Sequence, residues 1–300
     1  MKLGVNSIRV IRIHLKKGDR KRHLNWSDLS KYEIKKNIDA LGDGRYDHEI
    51  DIVYGDRQNK KGVTLIDIHG GSYIYSYRNN NYGFATVFAD AGFDVVLLDY
   101  PHNDECKDSL VQVNVLAKQL EYVFSHGAEL GLNPDRVFLT GDSAGGHFAL
   151  LLTEAIKDLE LRRDLNISFE GVKLAGLAVN CPVYDYLRVS QTTFISKRGR
   201  KFLFGKRYDD ADYLRALSPK CHIKSLDIPV FVSSCQNDFL IQETRDLVRD
   251  LTELQKAPTY CFIDKEDRAV AHVHNVVNIN HPDSVFVNQE MIKFFSSFNE

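Results

Sequence analysis

No window of about eighteen uncharged apolar residues occurs in this 300-residue chain, so the sequence predicts no membrane-spanning helix. Arg9, Arg12 and His14 interrupt the apolar run from Val5 to Leu15, so it does not read as the continuous h-region of a secretory leader, and cytoplasmic residence is the expectation. Neither sign of charge dominates. Thirty-nine basic against 41 acidic residues leave a net charge of -2, which argues against general attraction to nucleic acid or to an anionic membrane. The basic run Lys16, Lys17, Arg20, Lys21 and Arg22 reads as a solvated face. The five cysteines, Cys106, Cys181, Cys221, Cys235 and Cys261, have neither C-x-x-C nor metal-site spacing, so buried free thiols are expected rather than a disulfide framework or a zinc site. There is no internal repeat and no low-complexity tract.

What is present is a series of short apolar runs suited to buried strands, at 63–68, 94–99, 136–140, 172–180, 228–233 and 259–263. Most are separated by segments of helical periodicity, at 108–130, 144–157, 243–255 and 283–298, the last offering Val285, Phe286, Met291, Ile292 and Phe295 for packing. Strands alternating with helices predict an α/β fold with a mostly parallel sheet covered on both faces. A half-exposed strand is expected at Ile50–Tyr54. Two regions break the alternation: residues 1–45, with a helix expected near Trp26 to Leu41, and residues 183–217, which carry Tyr184, Tyr186, Phe194, Phe202, Phe204, Tyr208 and Tyr213. Both are expected to cap a catalytic domain spanning residues 46–300.

The most telling stretch is Gly141-Asp142-Ser143-Ala144-Gly145-Gly146, where a strand runs into a helix. A serine hydroxyl is a weak nucleophile unless it stands on a sharp turn within reach of a base, and flanking glycines let backbones approach without a Cβ clash. About seventy residues upstream, His69-Gly70-Gly71-Ser72 follows another strand. Its backbone N–H groups, from Gly70, Gly71 and Ser72, together with that of Ala144, could receive the negative charge that forms on an attacked carbonyl oxygen. The base and its orienting acid should follow late strands in the order Ser, Asp, His. Asp238 meets this after the run 228–233, with Asp264 as its rival. Periodicity does not separate His272 from His274 as the base. His147, one turn past the serine, is poorly placed to reach back.

These motifs resemble the hormone-sensitive-lipase-like branch of the α/β-hydrolase superfamily over residues 60–298. The elbow hexapeptide is identical to the family's, Asp238-Phe239-Leu240 fits its acid motif, and alignment of residues 272–276 to its His-x-Phe motif implies His272 as the base. Ser72 stands where the family has a third glycine, and the stretch after Tyr100 keeps little of the family pattern. The resemblance implies a serine carboxylesterase acting on a small-molecule ester with short acyl groups, with no cofactor and no metal. Asp142, Tyr100, Phe202 and Phe204 are candidates for substrate contact. No nucleic-acid or membrane partner is expected, and the assembly expected beyond the single chain is a homodimer. An amidase or peptidase using the same residues, or a receptor that binds an acyl ligand without turnover, are the alternatives.

Overall fold

In the computed structural model the apolar runs pair side by side into one eight-stranded sheet, ordered β1-β2-β4-β3-β5-β6-β7-β8. The structure describes residues 4–298 except 7, 11, 14, 15, 17, 18, 20–25, 27 and 194. The strands are β1 (Ile34–Asp39), β2 (Glu49–Val53), β3 (Thr64–Ile68), β4 (Asp94–Leu98), β5 (Val137–Asp142), β6 (Gly176–Asn180), β7 (Val230–Cys235) and β8 (Thr259–Ile263). β1, β2 and β4 pair antiparallel, and every pairing from β4 through β8 is parallel. Parallel strands need crossovers, which here are mostly helical. From residue 29 onward the described α-helices are α1 (Tyr82–Asp90), α2 (Asn103–Cys106), α3 (Ser109–His126), α4 (Ala144–Lys157), α5 (Leu159–Leu165), α6 (Tyr186–Ser190), α7 (Lys197–Phe204), α8 (Ala211–Ala216), α9 (Pro219–His222), α10 (Ile241–Glu253), α11 (His274–Val277) and α12 (Pro282–Ser296). The result is an α/β-hydrolase fold.

Successive side chains of a strand point to opposite faces, and both faces here are apolar. Val137 and Leu139 of β5 join the core under α3 and α4, while Phe138 between them joins the core with Phe88 of α1 and Phe295 of α12. That double burial is why β5 reads as a continuous apolar run. None of the described helices is long and apolar enough to cross a membrane.

Several expectations need correction. The expected helix near 26–41 is not found among the described residues: a single 3-10 turn at Leu29–Lys31 precedes β1, so the segment assigned to an N-terminal cap supplies the sheet's edge strand. Its signal is weak because an edge strand buries little, and a register shift at Asn37, whose φ is 57°, breaks the alternation. β2 is buried rather than half-exposed, being flanked by β1 and β4. The helix expected over 108–130 ends at His126. On α12 it is Val287, Met291, Phe294 and Phe295 that face the core, whereas Val285 and Phe286 are exposed. Cys181, Cys235 and Cys261 are buried free thiols as expected, but Cys221 is exposed. Of the basic run, Lys16 is exposed, and the other four residues, like Phe194, lie outside the described residues.

Residues 183–217 form α6, α7 and α8 between β6 and β7, tied down by polar contacts as well as aromatics. Arg188 bridges Glu243 and Asp246 of α10, and Tyr186 bonds to Ser109 Oγ at 2.7 Å while stacking on His147. His147 is wholly buried, with Nε2 at 2.7 Å from the Leu217 carbonyl and Nδ1 at 3.2 Å from Tyr73 Oη. Burial pushes its pKa down to about 4, and burial does the same to His274 on α11. Both are therefore held neutral in the fold but protonate near 6.5 when unfolded, so the stability they confer is complete above about pH 6.5 and is lost as pH falls toward 4. Denaturant titrations near neutral pH and near pH 4.5 should differ by about 2 kcal/mol per histidine, and His147→Gln should remove part of that difference. An unchanged pH dependence in the variant would contradict the assignment.

Candidate active site

The turn between β5 and α4 places Ser143 at φ 53° and ψ -114°, a conformation that a non-glycine residue adopts only where the surroundings impose it. Three glycines make room for it. A Cβ on Gly141 would lie 2.5 Å from Gly145 C, and one on Gly145 would lie 1.9 Å from the Ile68 carbonyl oxygen. On Gly146 it would press on Pro182 at 3.0 Å. The start of α4 therefore sits directly against the end of β3, which pairs with β5 up to Ile68 opposite Gly141. Ser143 N donates to the Asn180 carbonyl at 2.9 Å, which pins the turn to β6.

Asp238 and His272 arrive from the loops after β7 and β8. His272 Nε2 is 2.9 Å from Ser143 Oγ, and His272 Nδ1 is 2.6 Å from Asp238 Oδ1. The Asp238 carboxylate also accepts from the Leu240 N–H at 2.9 Å and from Ser234 Oγ at 2.9 Å. Burial works to raise its pKa, but the hydrogen bond and the attraction from His272, helped by Leu240 and Ser234, hold it below the usual carboxylate value. The rival residues fall elsewhere. His274 Nδ1 is buried against Ser284 Oγ at 2.9 Å, so geometry separates it from His272 where periodicity does not.

The 69–76 turn forms the facing wall. His69 Nε2 meets Asp99 at 3.1 Å, its Nδ1 meets the Gly70 carbonyl at 2.6 Å, and its ring stacks on Tyr100 at 4.3 Å. Although burial opposes protonation, the Asp99 carboxylate raises the His69 pKa. Asp99 is itself held by Arg78 at 3.0 Å, a fully buried cation that also pairs with Glu49 and Asp51. Gly71, at φ 132°, passes so close to Tyr75 that a Cβ would lie 1.8 Å from its carbonyl oxygen. Ser72 takes φ 53°, the left-handed conformation in which a third glycine would cost nothing. The Gly71 and Ser72 amides have no hydrogen-bond partner among the described residues, and the Ala144 amide opens α4 without an intrahelical one. Gly70 differs from expectation: its N–H donates to Asp142 Oδ1 at 3.0 Å and is not free for a ligand.

A cleft of about 260 Å³ joins these groups, lined by Gly70, Gly71, Ser72, Ser143 and His272, and also by Tyr75, Asn81, Phe239, Val273 and Val277. Of the four residues expected to contact substrate, only Asp142 lines it, and its carboxylate is engaged by Gly70 N and by Asn81 Nδ2 at 3.2 Å. Tyr100 is buried behind the turn, donating to the His69 carbonyl at 2.9 Å. Phe204 packs on Tyr73 and Tyr186, and Phe202 lines a separate surface cleft, because α7 turns these rings away from Ser143. The N-terminal segment does reach the site, through Asp19, which bonds to Tyr75 Oη. Phe239, 75% exposed and 4.2 Å from the His272 ring, was not singled out from the sequence, although its place beside Asp238 was a usable signal. Cys181 Sγ lies beside the Asp238 and His272 donors, in a group that could geometrically hold a metal ion.

Comparison with known proteins agrees with this architecture. The chain is 25% identical over 236 residues to a probable carboxylic ester hydrolase, LipM, of Mycobacterium tuberculosis, covering 71% of this chain and 54% of that protein. Esterase LipQ of the same organism matches at 25% identity over 61% of this chain and 43% of its own length, so the chain spans about half the length of these curated relatives. Esterase B from Lactobacillus rhamnosis superposes with a TM-score of 0.88 at 23% identity, over 98% of this chain and 95% of that one. The resemblance to hormone-sensitive-lipase-like α/β-hydrolases is met by these matches. The model of the BD-FAE family matches residues 50–251, and the chain belongs to that family.

Proposed function

We propose that the protein is a serine carboxylesterase that hydrolyses short-chain acyl esters through an acyl-enzyme, with Ser143 as nucleophile, His272 as general base and acid, and Asp238 as the group that orients the imidazole and stabilises the imidazolium formed during reaction. The observation that carries this reading is the unbroken relay from Asp238 Oδ1 through His272 to Ser143 Oγ, at 2.6 and 2.9 Å. As Ser143 Oγ bonds to the carbonyl carbon, its proton passes to His272 Nε2, and the carbonyl oxygen becomes an oxyanion. The amides of Gly71, Ser72 and Ala144 receive that charge. Collapse breaks the bond to the alcohol, which leaves with the proton from His272. Water then attacks the acyl carbon as its proton passes to His272, and collapse breaks the bond from that carbon to Ser143 Oγ, which takes the proton back from His272 as the carboxylic acid leaves.

The modest cleft volume supports short acyl groups, and one structure of esterase B from Lactobacillus rhamnosis is described as inhibited by a C4-C4 tributyrin phosphonate. Residues 183–217 act as a cap that braces the turn from behind, through Tyr186 and Phe204 against Tyr73, rather than by lining the cleft.

Ser143→Ala should lower kcat by about 10⁴-fold or more while leaving the unfolding midpoint nearly unchanged. Asp238→Asn should cost about 10⁴-fold, because an amide no longer stabilises the imidazolium or its tautomer. Steady-state rates on p-nitrophenyl acetate check both, and retention of most activity by Ser143→Ala would overturn the mechanism. Gly71→Ala should reduce kcat by about 10²- to 10³-fold through displacement of the oxyanion donors, whereas Ser72→Gly should be tolerated. Across a p-nitrophenyl series from acetate to decanoate, kcat/KM should peak among the short chains; a maximum at decanoate would refute the acyl preference, and faster turnover of matched anilides would favour an amidase.

A further inference from the structure

A second cleft, of about 200 Å³, opens where α7 meets the segment after Tyr100, and its walls carry Lys107, Arg198, Lys201 and Lys206 around the ring of Phe202. None of these four cations has an ion pair or a side-chain hydrogen bond among the described residues. The carboxylate in the cleft, Asp104, is taken by Arg12 at 2.8 Å. Residues 197–207 contribute Lys197, Arg198, Arg200, Lys201, Lys206 and Arg207 without one acid, in a chain whose overall charge is close to balanced. Four like charges around one hollow repel one another, so something else must hold them together.

The backbone does so. Gly205, at φ 81°, sits so close to Lys107 that a Cβ would lie 2.7 Å from its carbonyl oxygen, and Lys206 N donates to that same oxygen at 2.9 Å. The buried Asn103 side chain donates to the Leu203 carbonyl at 3.0 Å. Both walls of the hollow are thereby joined before any ligand arrives, which lowers the ordering cost of binding.

We propose that this cleft is a binding site for a phosphate group, with Phe202 and Val5 available to an apolar part of the molecule that carries it. A multiply charged oxyanion offers acceptors to the four unpaired cations, and charge-assisted hydrogen bonds from Arg198 and the lysines supply the affinity. The site is distinct from the cleft at Ser143 and does not depend on the proposed hydrolysis.

The test titrates the full-length protein with inorganic pyrophosphate against sodium chloride of equal ionic strength, reading the unfolding midpoint and the binding isotherm. The expected result is a saturable rise in midpoint with pyrophosphate alone. The double variant Arg198→Gln, Lys201→Gln should bind about tenfold or more weakly while hydrolysing p-nitrophenyl acetate at the parent rate. Equal responses to pyrophosphate and chloride, or equal binding by parent and variant, would overturn the proposal. Vesicles of phosphatidic acid and of phosphatidylcholine form a second arm that, once pyrophosphate binds, identifies the source: variant-sensitive binding to phosphatidic acid supports a lipid headgroup, no vesicle binding supports a free phosphate compound, and variant-insensitive vesicle binding counts against the site.

Discussion

The contact on which this architecture rests is one between backbones: Gly145 at the start of α4 lies against the carbonyls of Ile68 and His69, at a separation where any Cβ would stand 1.9 Å from the Ile68 oxygen. β3 and β5 are neighbouring parallel strands, and both turns at their carboxyl ends must share one small volume. Only a glycine lets the helix carrying Ser143 close onto the turn carrying Gly71 and Ser72. If that approach failed, the serine and the unpartnered amides would no longer face one cleft, whatever the rest of the sheet did.

Behind that contact stands a buried polar scaffold. Arg78 reaches Asp99, Asp99 reaches His69, and Tyr100 donates to the His69 carbonyl, so a chain of charge-assisted hydrogen bonds runs from the edge strands to the 69–76 turn. Buried charges are costly unless paired, and here Arg78 faces Glu49, Asp51 and Asp99 together. The strained conformations of Ser72 and Ser143 are stable because their surroundings over-determine them. The antiparallel strands β1 and β2, far from Ser143 in sheet order, matter to the site through Asn37, Glu49 and Asp51, all of which bond to Arg78.

Much of the fold was legible because parallel strands buried on both faces read as unbroken apolar runs, and β8 was read to the residue at Thr259–Ile263. The edge strand β1 was not, since it buries little and carries a bulge, and α1 escaped notice behind Asn79, Asn80 and Asn81. In the site, the spacing around Ser143 and the position of Asp238 after β7 were readable, because flanking glycines and the ends of apolar runs mark turns at strand ends. The aromatics of 183–217 misled because an amphipathic helix announces that it has an apolar face but not what that face meets.

The sequence by itself determined the glycine spacing around Ser143, the order of serine, aspartate and histidine along the chain, and the α/β alternation, since each follows from local sterics and periodicity. Tertiary structure alone decided that His274 turns to Ser284, that Asp142 takes the Gly70 amide, and that Phe202 and Phe204 turn away from the cleft. The physical reason is the same in each case. Which hydrogen-bond partner a side chain finds depends on groups from distant segments brought within about 3 Å, and no local pattern encodes that distance.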